Sequence, residues 1–465
     1  AASDVYKRQV RFYAHHRTQP CDQLISDWKE RALVDLSATI DEWKNVDPAT
    51  ASDEQLLDGI RALGHAEGRY WSGRNGAKIF GVIKSCDEQL HHFLLENAPG
   101  HDFTSGQFLS GFESKLMQAN KELWEISKQI RDNDSLCELT LVTPNTRLMD
   151  TLEKHADAGP ILEAIDAYLS TYGHQGYSLD FVEPAPLEEP SPILATLKTM
   201  VADPDYDPEK HDIEATRKRE AAFAKIEEVL SGLTYWQFRY RLWYANRYYP
   251  YREEMLFPLG SAWPLLRPLA AEFGKRMVDV GTFELPDDTY YLKMAELRAC
   301  AKAREASKAL AEYGQLAAER RELREARKRL RAPSAIPPEI IGHPMVKEVQ
   351  AVNDPDGNTI NGIPVSPGSI TAAASLIISP AEFDKMEPNS ILVCPMTTPA
   401  WTQLFAHATG LVTDIGGILG HGSIVAREYG IPAVVGTGIG TERIDHDQQI
   451  LLDGDAGTVT ILSAD

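Results

Sequence analysis

At 465 residues the chain is long enough for two or three hydrophobic cores. Its 68 Asp and Glu against 47 Lys and Arg leave a formal charge of −21, which argues against nucleic acid or an anionic membrane as partner, since both need basic surface. No apolar run nears the roughly 18–20 residues that span a bilayer, no secretory signal is evident, and five scattered cysteines without metal-ligand spacing fit reduced thiols in a cytoplasmic protein.

Residues 1–10 lack an initiating Met, and Ala2 to Gln9 reads as a translated cloning scar. The chain is therefore expected to be the C-terminal part of a longer protein. From residue 11 to 331 the pattern is helical. Leu24, Ile25, Trp28, Ala32, Leu33 and Leu36 recur every three to four residues, and Ser52 is placed to cap a helix carrying Leu56, Leu57 and Ile60. Pro-rich breaks fall at Phe181–Pro192 and Asp203–Glu209. Between them and the next breaker, Trp236, Tyr240, Trp243, Tyr244 and Arg247 share one helical face. Such a stripe packs either against neighbouring helices or against an aromatic or bulky apolar ligand. Leu292 to Arg331 reads as one long helix ending in a charged, solvated run.

Three prolines in six residues, Pro333, Pro337 and Pro338, cannot continue a helix, so residues 332–344 are expected to form a hinge linker. Beyond it the period changes. Leu376–Ile378, Ile391–Val393, Ala433–Val435, Ile450–Leu452 and Val459–Leu462 read as strands between short helices. The expected fold is multidomain: an all-α N-terminal domain, residues 11–331, and a C-terminal α/β domain, residues 345–465.

His421 stands out within that second domain. A β-type run from Gly410 to Thr413 feeds a glycine loop, Gly416 and Gly417, which delivers His421 to the first turn of a short helix stopped by Gly430 and Pro432. A helix N-terminus favours negative charge, and a neutral imidazole is a nucleophile near pH 7, so His421 is placed to carry a phosphoryl group. Gly416, Gly417, Gly420, Gly422 and Ser423 are the candidates to cradle it. Metal binding is not expected: His15-His16 and His91-His92 lack further ligands at suitable spacing.

Residues 345–465 resemble the phosphohistidine swivelling domain of the phosphoenolpyruvate-utilising enzymes. The matching pieces are Gly362–Gly368, Ile391–Trp401, the His421 stretch and Leu452–Val459, in family order. Gly420 departs from the Ser or Thr common before the family His, and Ala372 from a common Gly. More loosely, Tyr172–Asp180, Arg252–Phe257 and Leu285–Leu292 resemble blocks of the helical domain of rifampin phosphotransferase-like proteins, and the layout also resembles the subunits of phenylphosphate synthase.

The resemblance implies a phosphotransferase. An ATP-grasp module, fused upstream or on a separate subunit, would use ATP and Mg²⁺ to phosphorylate His421. The swivelling domain would then present the phosphoryl group to a small-molecule hydroxyl acceptor held in the helical domain. This chain alone is expected to bind neither ATP nor Mg²⁺. Arg252 is a candidate to meet the transferring group, His174 to deprotonate the acceptor, Arg427 to hold the phosphate or dock the domain, and Trp236, Tyr240, Trp243, Tyr244 and Arg247 to bind the acceptor. The alternative is a non-catalytic docking module that keeps the swivel fold.

Overall fold

The computed structural model describes residues 19–73, 76–101, 103–109, 115–178, 180–328, 330, 357–418 and 420–462. The scar expected at 1–10 and the linker expected at 332–344 lie outside the described residues. The chain divides into two compact units, one built from residues 1–83, 180–182 and 254–332, the other from 84–179, 183–253 and 333–465. Among the described residues every strand lies at or beyond Thr359, so an all-α region precedes an α/β region. No helix among them is long and apolar enough to cross a membrane.

In the first unit the Asp53–Gly68 and Trp263–Asp279 helices pack tightly. Gly59 permits the approach, because a Cβ there would sit 2.6 Å from both Leu269 and the Trp43 ring. Ser52 caps the first helix as its sequence predicts, its hydroxyl accepting from Gln55 N–H at 3.2 Å. Arg276 ties the preceding loop down by donating to the carbonyls of Pro48, Ala49 and Ala51 and to Asp53.

The single helix expected over 292–331 is two, Met294–Glu305 and Ala311–Lys328. Ser307 breaks it with a left-handed φ of 53°. The N–H groups of Ser307 and Lys308 turn back to Arg304 and Ala303, and Leu310 N–H goes to the Thr282 hydroxyl. That tertiary anchor competes with continuation of the helix. The charged run is correspondingly not a plain solvated face. Arg320 pairs with Glu296, Arg324 with Asp180, and Arg321 with the fully buried Asp288.

The second unit carries helices Lys115–Arg131, Gly159–Tyr172, Ser191–Ala202, Pro208–Val229 and Gly232–Tyr248, with the two predicted breaks between them. Asp207 caps the fourth through a hydrogen bond from Glu209 N–H at 2.9 Å.

The unit also holds an eight-stranded sheet: β1 (Thr359–Asn361), β2 (Ile363–Ser366), β3 (Ser369–Leu376), β4 (Ser390–Cys394), β5 (Ala408–Thr413), β6 (Ala433–Val435), β7 (Gln449–Asp453) and β8 (Thr458–Ile461). Their order is β1-β8-β7-β3-β4-β5-β6-β2, with β3 to β6 parallel and the flanking pairs antiparallel. β4 is buried along its whole length, as expected of a parallel strand covered on both faces. Ile360, Ile391, Val393, Val412, Val434, Ile450, Leu452 and Val459 form the sheet's core. The strand expected at 376–378 ends instead at Leu376; Ile377 still donates to Val393, while Ile378 is exposed.

Candidate active site around His421

β5 ends at Thr413, and Asp414 then closes the loop by accepting from the Thr437 hydroxyl, Thr441 N–H and the Thr441 hydroxyl. Gly417 O accepts from Gly420 N–H at 2.8 Å and from the Ser423 hydroxyl at 2.7 Å, which fixes the approach to the helix. The helix His421–Tyr429 begins immediately and stops at Gly430, whose φ of 65° only glycine adopts without strain. Ile431 N–H returns to Ala426 O at 3.0 Å to finish the cap.

Two threonines clamp the imidazole in its plane. Nε2 lies 3.2 Å from the Thr402 hydroxyl and Nδ1 3.3 Å from the Thr397 hydroxyl. Thr402 donates its own proton to Pro399 O at 2.7 Å, so it accepts from Nε2–H, and Thr397 donates to Nδ1. Gly422 makes room for this clamp, since a Cβ there would be 2.7 Å from the Thr397 hydroxyl. The Phe405 ring stands edge-on at 6.5 Å. Only part of His421 reaches solvent and protein encloses the ring. Burial pushes its pKa down to about 3, and the nearby Arg252 guanidinium adds to the shift. The ring is therefore neutral throughout the physiological range. Arg252 itself is 3% exposed and ion-paired with Glu253.

The segment Pro399–Ala406 that carries Thr402 is buried along most of its length and docks onto the helices of the same unit. The Thr398 hydroxyl and Trp401 Nε1 both donate to Tyr177 O, at 3.0 and 3.2 Å, and Gln403 donates to the Tyr168 hydroxyl at 3.1 Å. His407 is 4% exposed, has no hydrogen bond to either ring nitrogen, and lies against Tyr206; burial lowers its pKa to about 4. On the other flank Arg427 donates from Nε to Val365 O at 2.6 Å and brings Nη1 to 3.7 Å from the buried Asp87 carboxylate. Tyr249, also buried, feels both of these charges, and its hydroxyl pKa is raised chiefly by burial.

Residues 386–457 match the PEP-utilising enzyme mobile domain, and residues 89–253 match the rifampicin phosphotransferase fourth domain. Residues 386–457 are thus similar to a PEP-utilising mobile domain. Over 370 residues, 77% of this chain and 43% of the relative, it is 28% identical to an uncharacterized phosphotransferase, YvkC, of Bacillus subtilis. It is 27% identical to a rifampicin phosphotransferase of Streptomyces sviceus, covering 73% of this chain and 39% of that protein. A shorter match, 47% identical over 103 residues, is to the prodigiosin synthesizing transferase PigC of Serratia marcescens, covering 22% of this chain and 12% of that protein. The chain thus spans less than half the length of these relatives.

The mobile-domain match contains His421, its two threonines and Arg427; the fourth-domain match contains His174, Arg252 and the aromatic helix. The fold brings Arg252 close enough to His421 to act on its charge. His174 is half-buried in the turn whose Gly176 and Tyr177 carbonyls receive Thr398 and Trp401, two residues flanking the clamp. Arg427 is aimed at Val365 and Asp87, nearly two turns along the helix from His421. Of the glycine loop, the Gly420 amide and Ser423 hydroxyl are engaged by Gly417, Gly416 lies against Val435, and a Cβ on Gly417 would meet open space.

The aromatic stripe is not the buried face of its helix. Phe238, Leu242, Ala245 and Tyr248 point inward, while Trp236 is 63% exposed and Trp243 45%. Tyr240 and Tyr244 are half-buried between these two faces, their rings 6.5 Å apart, and Arg247 is exposed. Core packing therefore does not account for the two tryptophans. Thr397, Thr402 and Asp87 were not singled out in the sequence. The threonines sit inside the matching Ile391–Trp401 stretch and just after it, but nothing in the local pattern marks them as partners of a residue some twenty positions on. Asp87 has no sequence signal at all.

One group of potential metal ligands occurs among the described residues, Glu387, His446 and Asp447, on the surface of the mobile domain. Leu376 N–H donates to His446 Nδ1, which leaves the ring proton on Nε2, so that nitrogen has no lone pair for an ion.

Proposed function

We propose that the chain supplies the acceptor-binding and phosphoryl-carrying parts of an ATP-dependent phosphotransferase, with the ATP-grasp module and its Mg²⁺ in the remainder of the protein or in a partner. His421 attacks the β-phosphorus of ATP; AMP leaves, and water takes the γ-phosphoryl as inorganic phosphate. The mobile domain then carries phospho-His421 to the acceptor. The acceptor oxygen bonds to phosphorus as the phosphorus–nitrogen bond breaks, and the hydroxyl proton passes to a base, for which His174 is the candidate. Arg252 neutralises charge on the transferring group, and Arg427 with Asp87 holds the docked arrangement. Trp236, Tyr240, Trp243, Tyr244 and Arg247 offer a surface for an aromatic or bulky apolar acceptor. Positioning and charge stabilisation are most of what such a transfer needs.

One observation carries this reading: a clamped imidazole at a helix N-terminus, held neutral by burial and by a buried arginine, within a matched mobile domain. The neutral ring keeps one lone pair, on Nδ1, which becomes the nucleophile when the Thr397 hydroxyl turns away, and helix amides favour the phosphate it would gain. The test is to supply a matching ATP-grasp module and labelled ATP. Wild type is expected to form an acid-labile, alkali-stable phosphoprotein. His421→Ala and His421→Asn should lose both the label and product formation while still binding acceptor. Turnover by either variant near the wild-type rate would exclude His421 as carrier.

A further inference from the structure

A cleft of about 490 Å³ opens in the second unit, at the opposite end of the His421 helix. From His421 to Gly430 the helix advances about 13 Å, so this cleft is separate from the clamped imidazole. The mobile domain lines one side with Ser366, Pro367, Gly368, Arg427 and Gly430. The helix Pro208–Val229 lines the other with Lys218, Ala221, Ala222 and Lys225, spaced three, four and seven residues apart and thus on one face. Two lysines bracket two alanines there, which places two cations at the ends of a small apolar face.

The charge balance of the cleft runs against that of the chain. Lys218, Arg219, Lys225 and Arg427 line it, against the single carboxylate of Asp455. Arg427 is answered by Asp87, and Asp455 already accepts the Gly368 amide. Lys218 reaches only a carbonyl, Gly430 O at 3.2 Å, and Lys225 only the face of Phe103 at 5.5 Å; neither has a carboxylate partner among the described residues. In a chain of net charge −21 such a concentration of cations attracts an anion. Phe103, Pro367 and the two alanines supply an apolar lining for the rest of that molecule, and the volume falls within the roughly 300–1,000 Å³ of ligand pockets.

We infer that this cleft binds an aromatic phosphate monoester, its phosphate between Lys218 and Lys225 and its ring against Pro367 and the alanine face. A nucleoside monophosphate and a phosphorylated aryl acceptor share that chemistry. Because the cleft is built jointly by the mobile domain and the helix Pro208–Val229, an occupant ties the two together and favours the docked arrangement.

The test is calorimetric titration of the whole chain with AMP, phenyl phosphate and inorganic phosphate. At least one ester should bind roughly tenfold tighter than inorganic phosphate, and whichever ester is preferred identifies the source. Lys218→Ala with Lys225→Ala should weaken that binding about tenfold; both side chains are exposed, and an unchanged melting curve verifies the fold. His421→Ala, which blocks transfer in the proposed reaction, should leave ester binding intact. The inference is overturned if no ester binds, if inorganic phosphate binds as well, if the double variant binds like wild type, or if His421→Ala abolishes binding.

Discussion

His421 is the residue at which sequence, fold and chemistry converge, and its environment says more than its position. A surface histidine is about half protonated near pH 6.5, and a protonated ring is no nucleophile. Here burial comes first and the Arg252 charge second in lowering the pKa to about 3. Isotope-edited NMR of the imidazole should therefore show no titration of His421 from pH 8 to pH 5. Arg252→Met should move the pKa upward, though not to the free value, because burial remains. With the ATP-grasp module supplied, the same variant should slow transfer by roughly a hundred- to a thousandfold, the range for losing one oriented donor at a reacting group. A wild-type ring titrating near 6.5, or one indifferent to Arg252→Met, would remove the electrostatic argument. The sequence showed His421 and Arg252 separately but not their proximity, since 169 positions separate them.

At the scale of elements, the helix behind His421 depends on small residues at defined places. A methyl at Gly422 would press on the Thr397 hydroxyl at 2.7 Å and on Leu411 at 3.0 Å. Gly422→Ala should cost about 1–3 kcal/mol in a urea titration, the usual penalty of overpacking, and should release the clamp on His421. Gly417→Ala, whose added methyl meets nothing within 4 Å, is the matched control and should change stability by less than about 0.5 kcal/mol. Equal effects from the two would show that crowding at Thr397 is not what Gly422 relieves. The elements around this helix were legible because several signals agreed: β4, β6, β7 and β8 are apolar β-branched runs, and Gly430 with Pro432 marks the helix end. β1 and β2 were missed because they are three and four residues long and broken by Gly362 and Pro364. β3 was displaced because Thr371 to Ser375 offers little bulk to an apolar pattern. The split at Ser307 was invisible because Thr282, which holds Leu310, comes from another part of the chain.

At the scale of the second unit, two histidines are buried without charge, and that makes docking and stability depend on acid. His407 and His421 have folded pKa values of about 4 and about 3, against about 6.5 when unfolded. Between these limits the unfolded chain binds more protons, so stability rises with pH. Their contribution is complete above about pH 6.5 and is lost as pH falls through the folded values. By pH 5 each histidine should have lost about 1–2 kcal/mol. His407 faces Tyr206 from the loop before the helix Pro208–Val229, and the Asp203 carboxylate opposes the shift without cancelling it. His407→Leu removes two ring nitrogens that lack hydrogen bonds, so it should hold its stability at pH 7 while flattening the acid limb. The measurement is the urea midpoint from pH 7.5 to 4.5 for wild type and the variant. Superimposable curves would show that His407 is not an acid-labile point of the docked unit, and the loss would then have to come from His421 or from carboxylates. None of this was available from the sequence, where His407 is one polar residue beside the short apolar stretch Leu404–Ala406; its burial depends on Pro399–Ala406 packing against residues more than two hundred positions earlier, such as Tyr168 and Tyr177.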